Sequence, residues 1–199
     1  MSALRSGSFA ASFGLLLAVL WANPAAASTP SEAVHGLDFF VHADLIQDGE
    51  GRDIEFWKQR LRRALAQATL ALQGVQGQGA DDPCCTRIEP ADPEVELEVF
   101  GEVDDGWSVL TSAADYDALK VAFPAPGVYI ILSLEACGAT TSTTIVGCAD
   151  QGGDYIVVDV VDDDNAQDPK YAHNLEGLGI TIAHERGHNL GLAHSFSET

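Results

Sequence analysis

Residues 181–194, TIAHERGHNLGLAH, place three histidines, one glutamate and Gly191 at fixed offsets from one another. No other stretch constrains the local fold so tightly. His184 and His188 are one helical turn apart, so on an α-helix they project from the same side. A third side chain from the same straight helix falls behind the point on which those two converge. Gly191 relieves this, because glycine adopts positive φ without strain. The helix can end there, and the returning chain can bring His194 under the pair.

This pattern suits a divalent metal. Zinc takes imidazole ligands at about 2 Å in a tetrahedral arrangement, and three protein ligands leave the fourth position for water, as in catalytic rather than structural sites. His184, His188 and His194 are therefore the expected zinc ligands. Glu185 follows the first of them and points to one side of the metal, where its carboxylate can accept a proton from the zinc-bound water. Zinc lowers the pKa of such a water from about 15.7 towards 7 and polarises a scissile carbonyl. Five fixed positions in eleven residues arise by chance in a chain this long with a probability on the order of 10⁻⁵. His35, His42 and His173 are isolated and read as surface or hydrogen-bonded residues.

At the amino end, a lone Arg5, an apolar run from Phe9 to Trp21 and Ala25-Ala26-Ala27 have the order of a secretory signal peptide cleaved after Ala27. Residues 28–199 are then the exported, mature chain. The apolar run is too short to span a bilayer comfortably, so no stable membrane anchor is expected. Loss of the leader removes Arg5 and no acidic residue, taking the formal net charge from −20 to −21. So acidic a chain repels nucleic acid and anionic membranes. Protein or peptide partners remain. The acidic segment 159–168, DVVDDDNAQD, offers oxygen ligands to a structural calcium ion, but its spacing matches no calcium loop, and a solvated loop fits better. Cys84, Cys85, Cys137 and Cys148 form an even set, which in an exported chain reads as disulfides. Cys137 and Cys148 can staple the small-residue segment between them, leaving adjacent Cys84 and Cys85 to each other. Alternatively, each of the first two reaches one of the later two.

The full chain has 46% hydrophobic and 20% charged residues and reads as one globular domain. LDFFVHADLI (37–46) predicts a buried strand, and Asp53 caps a helix that Gly74 ends. On that helix Ile54, Trp57, Leu61, Leu65, Ala68 and Leu72 form an apolar stripe. VELEVF (95–100) alternates as a half-buried strand does, with Val95, Leu97 and Val99 on one side. GVYIILSL (127–134) and DYIVVDVV (154–161) predict interior strands, with Gly, Pro and Asp loops between. Asn174 is the expected N-cap of a last helix whose core face is Leu175, Leu178, Ile182 and Leu190. Gly177 and Gly179 weaken that helix by about 1 kcal/mol each, so burial must hold it. The order implies an α/β (α+β) domain, with a twisted mixed sheet packed against a long helix and the histidine-bearing helix.

The segment His184–His194 resembles the zinc signature of the metzincin clan of metallopeptidases, H-E-x-x-H-x-x-G-x-x-H. GHNLG (187–191) looks most like the reprolysin branch, whereas Ser195 after the third histidine is more like the matrixins. The resemblance implies the three histidines as zinc ligands, Glu185 as catalytic base, and an architecture similar to the amino-terminal subdomain of that clan. It also implies a Met-containing turn beneath the zinc, yet the sole methionine is Met1 and five residues follow His194. The expectation is a secreted zinc endopeptidase, truncated after the third histidine. The competing expectation is an exported zinc-binding domain that is catalytically impaired and acts as a binding module.

Overall fold

The computed structural model describes residues 33–46, 52–72, 86–138, 140–141, 145–160 and 174–192. The leader, Gly74, Cys84, Cys85, His173, most of the acidic 159–168 segment and His194 lie outside the described residues. Along the chain run β1 (Ala33–Leu37), β2 (Phe39–His42), a 3-10 turn (Ala43–Leu45), α1 (Ile54–Leu72), β3 (Thr86–Pro90), β4 (Glu98–Phe100) and β5 (Val109–Leu110). There follow α2 (Ala113–Ala122), β6 (Gly127–Ile131), β7 (Ser133–Leu134), β8 (Ala136–Cys137), β9 (Thr140–Thr141), β10 (Gly147–Ala149), β11 (Tyr155–Asp159) and α3 (Asn174–Asn189).

Five strands form one mixed sheet in the order β10-β11-β6-β2-β4. All neighbours are parallel except β10, which joins β11 antiparallel at the edge. Side chains of a strand alternate between faces, and here both faces are covered. Val128 and Ile130 of β6, with Ile156 and Val158 of β11, share a core with Trp57, Leu61, Leu178 and Ile182 of α1 and α3. Tyr129, Ile131, Tyr155 and Val157 share the other with Tyr116 and Leu119 of α2. Burial on both sides is why β6 and β11 read as continuous apolar runs. On the α2 face Phe40, Tyr129 and Tyr155 stack in a column with ring centroids 4.7 and 4.6 Å apart.

The α1 stripe packs as its spacing predicts, with Asp53 Oδ1 accepting the Phe56 amide at 2.8 Å. Its closest neighbour is α3. A Cβ added at Gly179 would lie 2.2 Å from the carbonyl oxygen of Ala64 and 3.0 Å from the amide of Ala68. The glycine that weakens α3 locally is thus what lets the two backbones touch.

Several expectations need correction. The strand predicted over 37–46 is shorter, because Nδ1 of His42 accepts the Asp44 amide at 3.1 Å and starts the 3-10 turn. Residues before it divide off into β1, which pairs with β3 in a separate two-stranded sheet. The alternation predicted over 95–100 also fails. Glu96 adopts φ +57° at the end of a turn in which its amide donates to Asp92 O at 2.9 Å, and its carboxylate takes two bonds from Arg62 at 2.8 and 2.9 Å, so the side-chain alternation restarts beyond it. Val95 and Val99 are exposed while Leu97 and Phe100 are buried, and only Glu98–Phe100 is strand. α2 stands where loops were expected. Its signal is Ser112-x-x-Asp115, which forms a reciprocal capping box. The Ser112 hydroxyl, followed by contacts from Thr111, holds the Asp115 carboxyl below its usual range. Finally, α3 begins at Asn174 itself, and Leu190 is exposed because it lies in the turn beyond the helix.

Helix propensity alone predicts that Gly179→Ala gains about 1 kcal/mol. The contact with Ala64 predicts the reverse, a loss of about 1–3 kcal/mol from overpacking. A urea midpoint below that of the wild type is the expected result.

Candidate metal centre

On α3, His184 and His188 meet edge to face with ring centroids 4.7 Å apart. Their Nε2 atoms are 3.1 Å apart. Two nitrogens on a tetrahedral zinc at about 2.0–2.1 Å would be separated by roughly 3.3–3.4 Å. The pair therefore fits a shared zinc ion to within a few tenths of an ångström.

The tautomer of His188 fits as well. Its Nδ1 is 2.8 Å from the carbonyl oxygen of Leu192, which can only accept, so Nδ1 carries the hydrogen and the neutral ring keeps its Nε2 lone pair. Such an outer hydrogen bond is what orients and strengthens a metal-binding imidazole. The turn that supplies the carbonyl is built by Gly191 at φ +86°. Leu192 N donates to Gly187 O and Gly191 N to His188 O, both at 2.9 Å, which is a Schellman cap. The bend expected at Gly191 is therefore present, and it serves the second histidine in addition to turning the chain.

Glu185 is only 6% exposed. Burial pushes its carboxyl up to about 7, with His188 acting in the opposite direction. The side chain lies against β10: a Cβ on Gly147 would sit 2.7 Å from Glu185 Oε1 and 2.6 Å from Thr181 Cγ2. Together with His184 and His188, Glu185 lines a cavity of about 680 Å³ whose other walls are largely apolar, including Ile145, Val146, Ala149 and Ile180. The Cys137–Cys148 disulfide, one of the two pairings open to the sequence, borders it with a Cα separation of 5.4 Å.

The structure thus brings together two of the three predicted ligands and the predicted base, while His194 lies outside the described residues. Among the described residues no group of three or more His, Cys, Asp or Glu side chains is placed to hold a metal. His42 is a buried structural histidine. Its Nε2 donates to Asp105 Oδ1 at 2.9 Å while Nδ1 accepts the Asp44 amide. Burial alone would raise the Asp105 carboxyl, but the amides of Glu102 and Trp107, and His42, hold it below its usual range. Asp44 likewise accepts from Asp104 N at 2.8 Å and Ser108 Oγ at 2.5 Å. His35 is half-buried in β1, and burial, followed by the charge of Arg186, lowers its pKa. Asp159, at the start of the acidic segment considered for calcium, accepts the Leu134 amide through Oδ2 at 3.1 Å.

Sequence reasoning missed two contributors. Gly147 permits the close approach of β10 to Glu185, and the polar turn after β10 grips the end of α3 through Asn189. Neither shows in a pattern of spacings, because both depend on which strand ends beside α3. No protein-family model matches the chain, and no curated protein is significantly similar to it.

Among the described residues beyond its chain neighbours, no atom lies within 4 Å of a Cβ built on Gly191, so a substitution there acts chiefly through φ. Gly191→Ala is expected to displace the Leu192 carbonyl and weaken zinc binding about 10–100-fold. Gly191→Asn, which tolerates positive φ better, is expected to lose less. Competition with a chelating dye measures both.

Proposed function

We propose that the chain is a secreted zinc-dependent endopeptidase of the metzincin type, hydrolysing peptide bonds in proteins. The observation that carries this reading is the convergence of His184 and His188 Nε2, 3.1 Å apart, beside a buried glutamate at the wall of a cavity. The described order of strand, long helix, further strands and histidine-bearing helix is similar to the amino-terminal subdomain of that clan.

His184 and His188, with His194 from the sequence pattern, would hold the zinc. When bound, zinc supplies a Lewis acid that acidifies water and polarises a peptide carbonyl. The chain's own residues do the rest. Glu185 takes a proton from the attacking water on a carboxylate oxygen and returns it to the departing amine nitrogen. The apolar walls exclude competing water. Among the described residues β10 is the edge strand of the sheet, and two of its three residues line the cavity, so an extended peptide can pair with it along the backbone. Export accords with the leader pattern and with a disulfide, which persists in oxidising compartments. No helix among the described residues is long and apolar enough to cross a membrane.

The test compares wild type, Glu185→Ala and His188→Ala, each dialysed after zinc loading and then offered an unfolded protein. Wild type and Glu185→Ala are expected to retain one zinc, and His188→Ala to lose it. Cleavage is expected to fall about 10²–10⁴-fold in Glu185→Ala. Zinc retention without any cleavage by the wild type would favour a non-hydrolysing binding module instead.

A further inference from the structure

His188 sits in the last turn of α3, where helices fray and carbonyls lack intrahelical partners. A metal ligand there needs to be fixed from outside, and the turn after β10 does so at two adjacent residues. Gly152 N donates to His188 O at 3.1 Å, alongside the cap bond from Gly191. Asn189, only 6% exposed, donates through Nδ2 to Asp150 O at 2.8 Å, with Tyr155 O at 3.4 Å. Asparagine is a poor helix former, and of this buried amide only Nδ2 finds partners among the described residues, while Oδ1 has none. Both its partners are carbonyls, so the site demands a donor.

The turn is itself held. Asp150 N donates to Tyr155 O at 3.3 Å and Gly153 N to Asp150 O at 3.1 Å. The Asp150 carboxylate is gripped from α2, by an ion pair with Lys120 and by the Tyr116 hydroxyl at 3.3 Å. Tyr116 and Lys120 are four residues apart on one face of α2. The Lys120 ammonium also lies 5.5 and 5.8 Å from the ring centres of Tyr116 and Tyr155. An unbroken polar chain thus runs from the α2 layer through Asp150 to the end of α3. Gln151, in the same turn, lines the cavity.

We infer that Asn189 is a positioning residue for the metal centre, fixing His188 through the Asp150 turn, and that Lys120 acts at one remove by clamping that turn. The inference rests on the zinc site of the proposed function. It predicts that loss of the Asn189 donor loosens His188 and leaves the core intact.

The experiment uses the full chain with zinc and, as a spectroscopic probe, cobalt(II). Asn189→Asp replaces the donor by an acceptor of the same shape. It is expected to weaken zinc binding at least ~10-fold, as loss of an outer-shell partner does, and to alter the visible cobalt bands. The far-UV circular dichroism of the metal-free chain should stay as in wild type. Lys120→Met, whose side chain is partly exposed, is expected to weaken zinc binding less, by roughly threefold, within the range of a partly screened ion pair. Lys120→Arg should restore it. Wild-type affinity and an unchanged cobalt spectrum in Asn189→Asp would overturn the inference while leaving the zinc site standing. A wild type that takes up no metal would overturn both. If Asn189→Asp does not fold, the Lys120 pair decides, and equal affinity in Lys120→Met and Lys120→Arg overturns the inference.

Discussion

The site depends on how closely α3 can be pressed against the rest of the domain. Two glycines set that distance, Gly179 against the Ala64 carbonyl and Gly147 against the Glu185 side chain. At each, the space a methyl group would need is already filled by backbone or by a buried side chain. The first contact fixes α3 on α1, and the second fixes β10 on α3. Between them they set the depth at which Glu185 lies and the direction in which both histidines face. Dense packing transmits small displacements, so the geometry of the metal pair is a property of both contacts and not of the helix alone.

Legibility in the sequence followed the range of the interaction responsible. The stripe of α1, the interior strands β6 and β11 and the turn at Gly191 were all readable, since each arises from residues near one another in the chain. VELEVF was misread because Glu96 closes a turn begun at Asp92 and takes a left-handed conformation there, which an alternation of residue types does not show. α2 was missed for another reason. Only Tyr116 and Leu119 are buried on it, too few for a clear period, and the capping box at Ser112 and Asp115 was the usable signal. In the site, the local spacing gave His184, Glu185 and His188. It could not give Asn189 a role, because its partners belong to β11 and to the turn after β10.

The acidity of the chain has a partly structural explanation. Asp44, Asp105 and Asp115 each accept backbone amides, and Asp150 takes a lysine and a tyrosine. These carboxylates replace regular secondary structure in the loops that join β4 to α2 and β10 to β11. A hydrogen bond to a charged acceptor contributes more than a neutral one. Charge that looks like a solvated surface in the sequence is, at these four positions, part of the loop framework.

The disulfide between Cys137 and Cys148 closes a loop with a sequence separation of 11 beside the cavity. Ring closure of that size removes about 3 kcal/mol of disorder from the unfolded chain. Native domains exceed their unfolded state by only about 5–15 kcal/mol, so the cross-link is a large fraction of any such margin. One wall of the cleft is therefore conditional on the redox surroundings in which the polypeptide matures: the same residues, folded among free thiols, would have to find one another unaided.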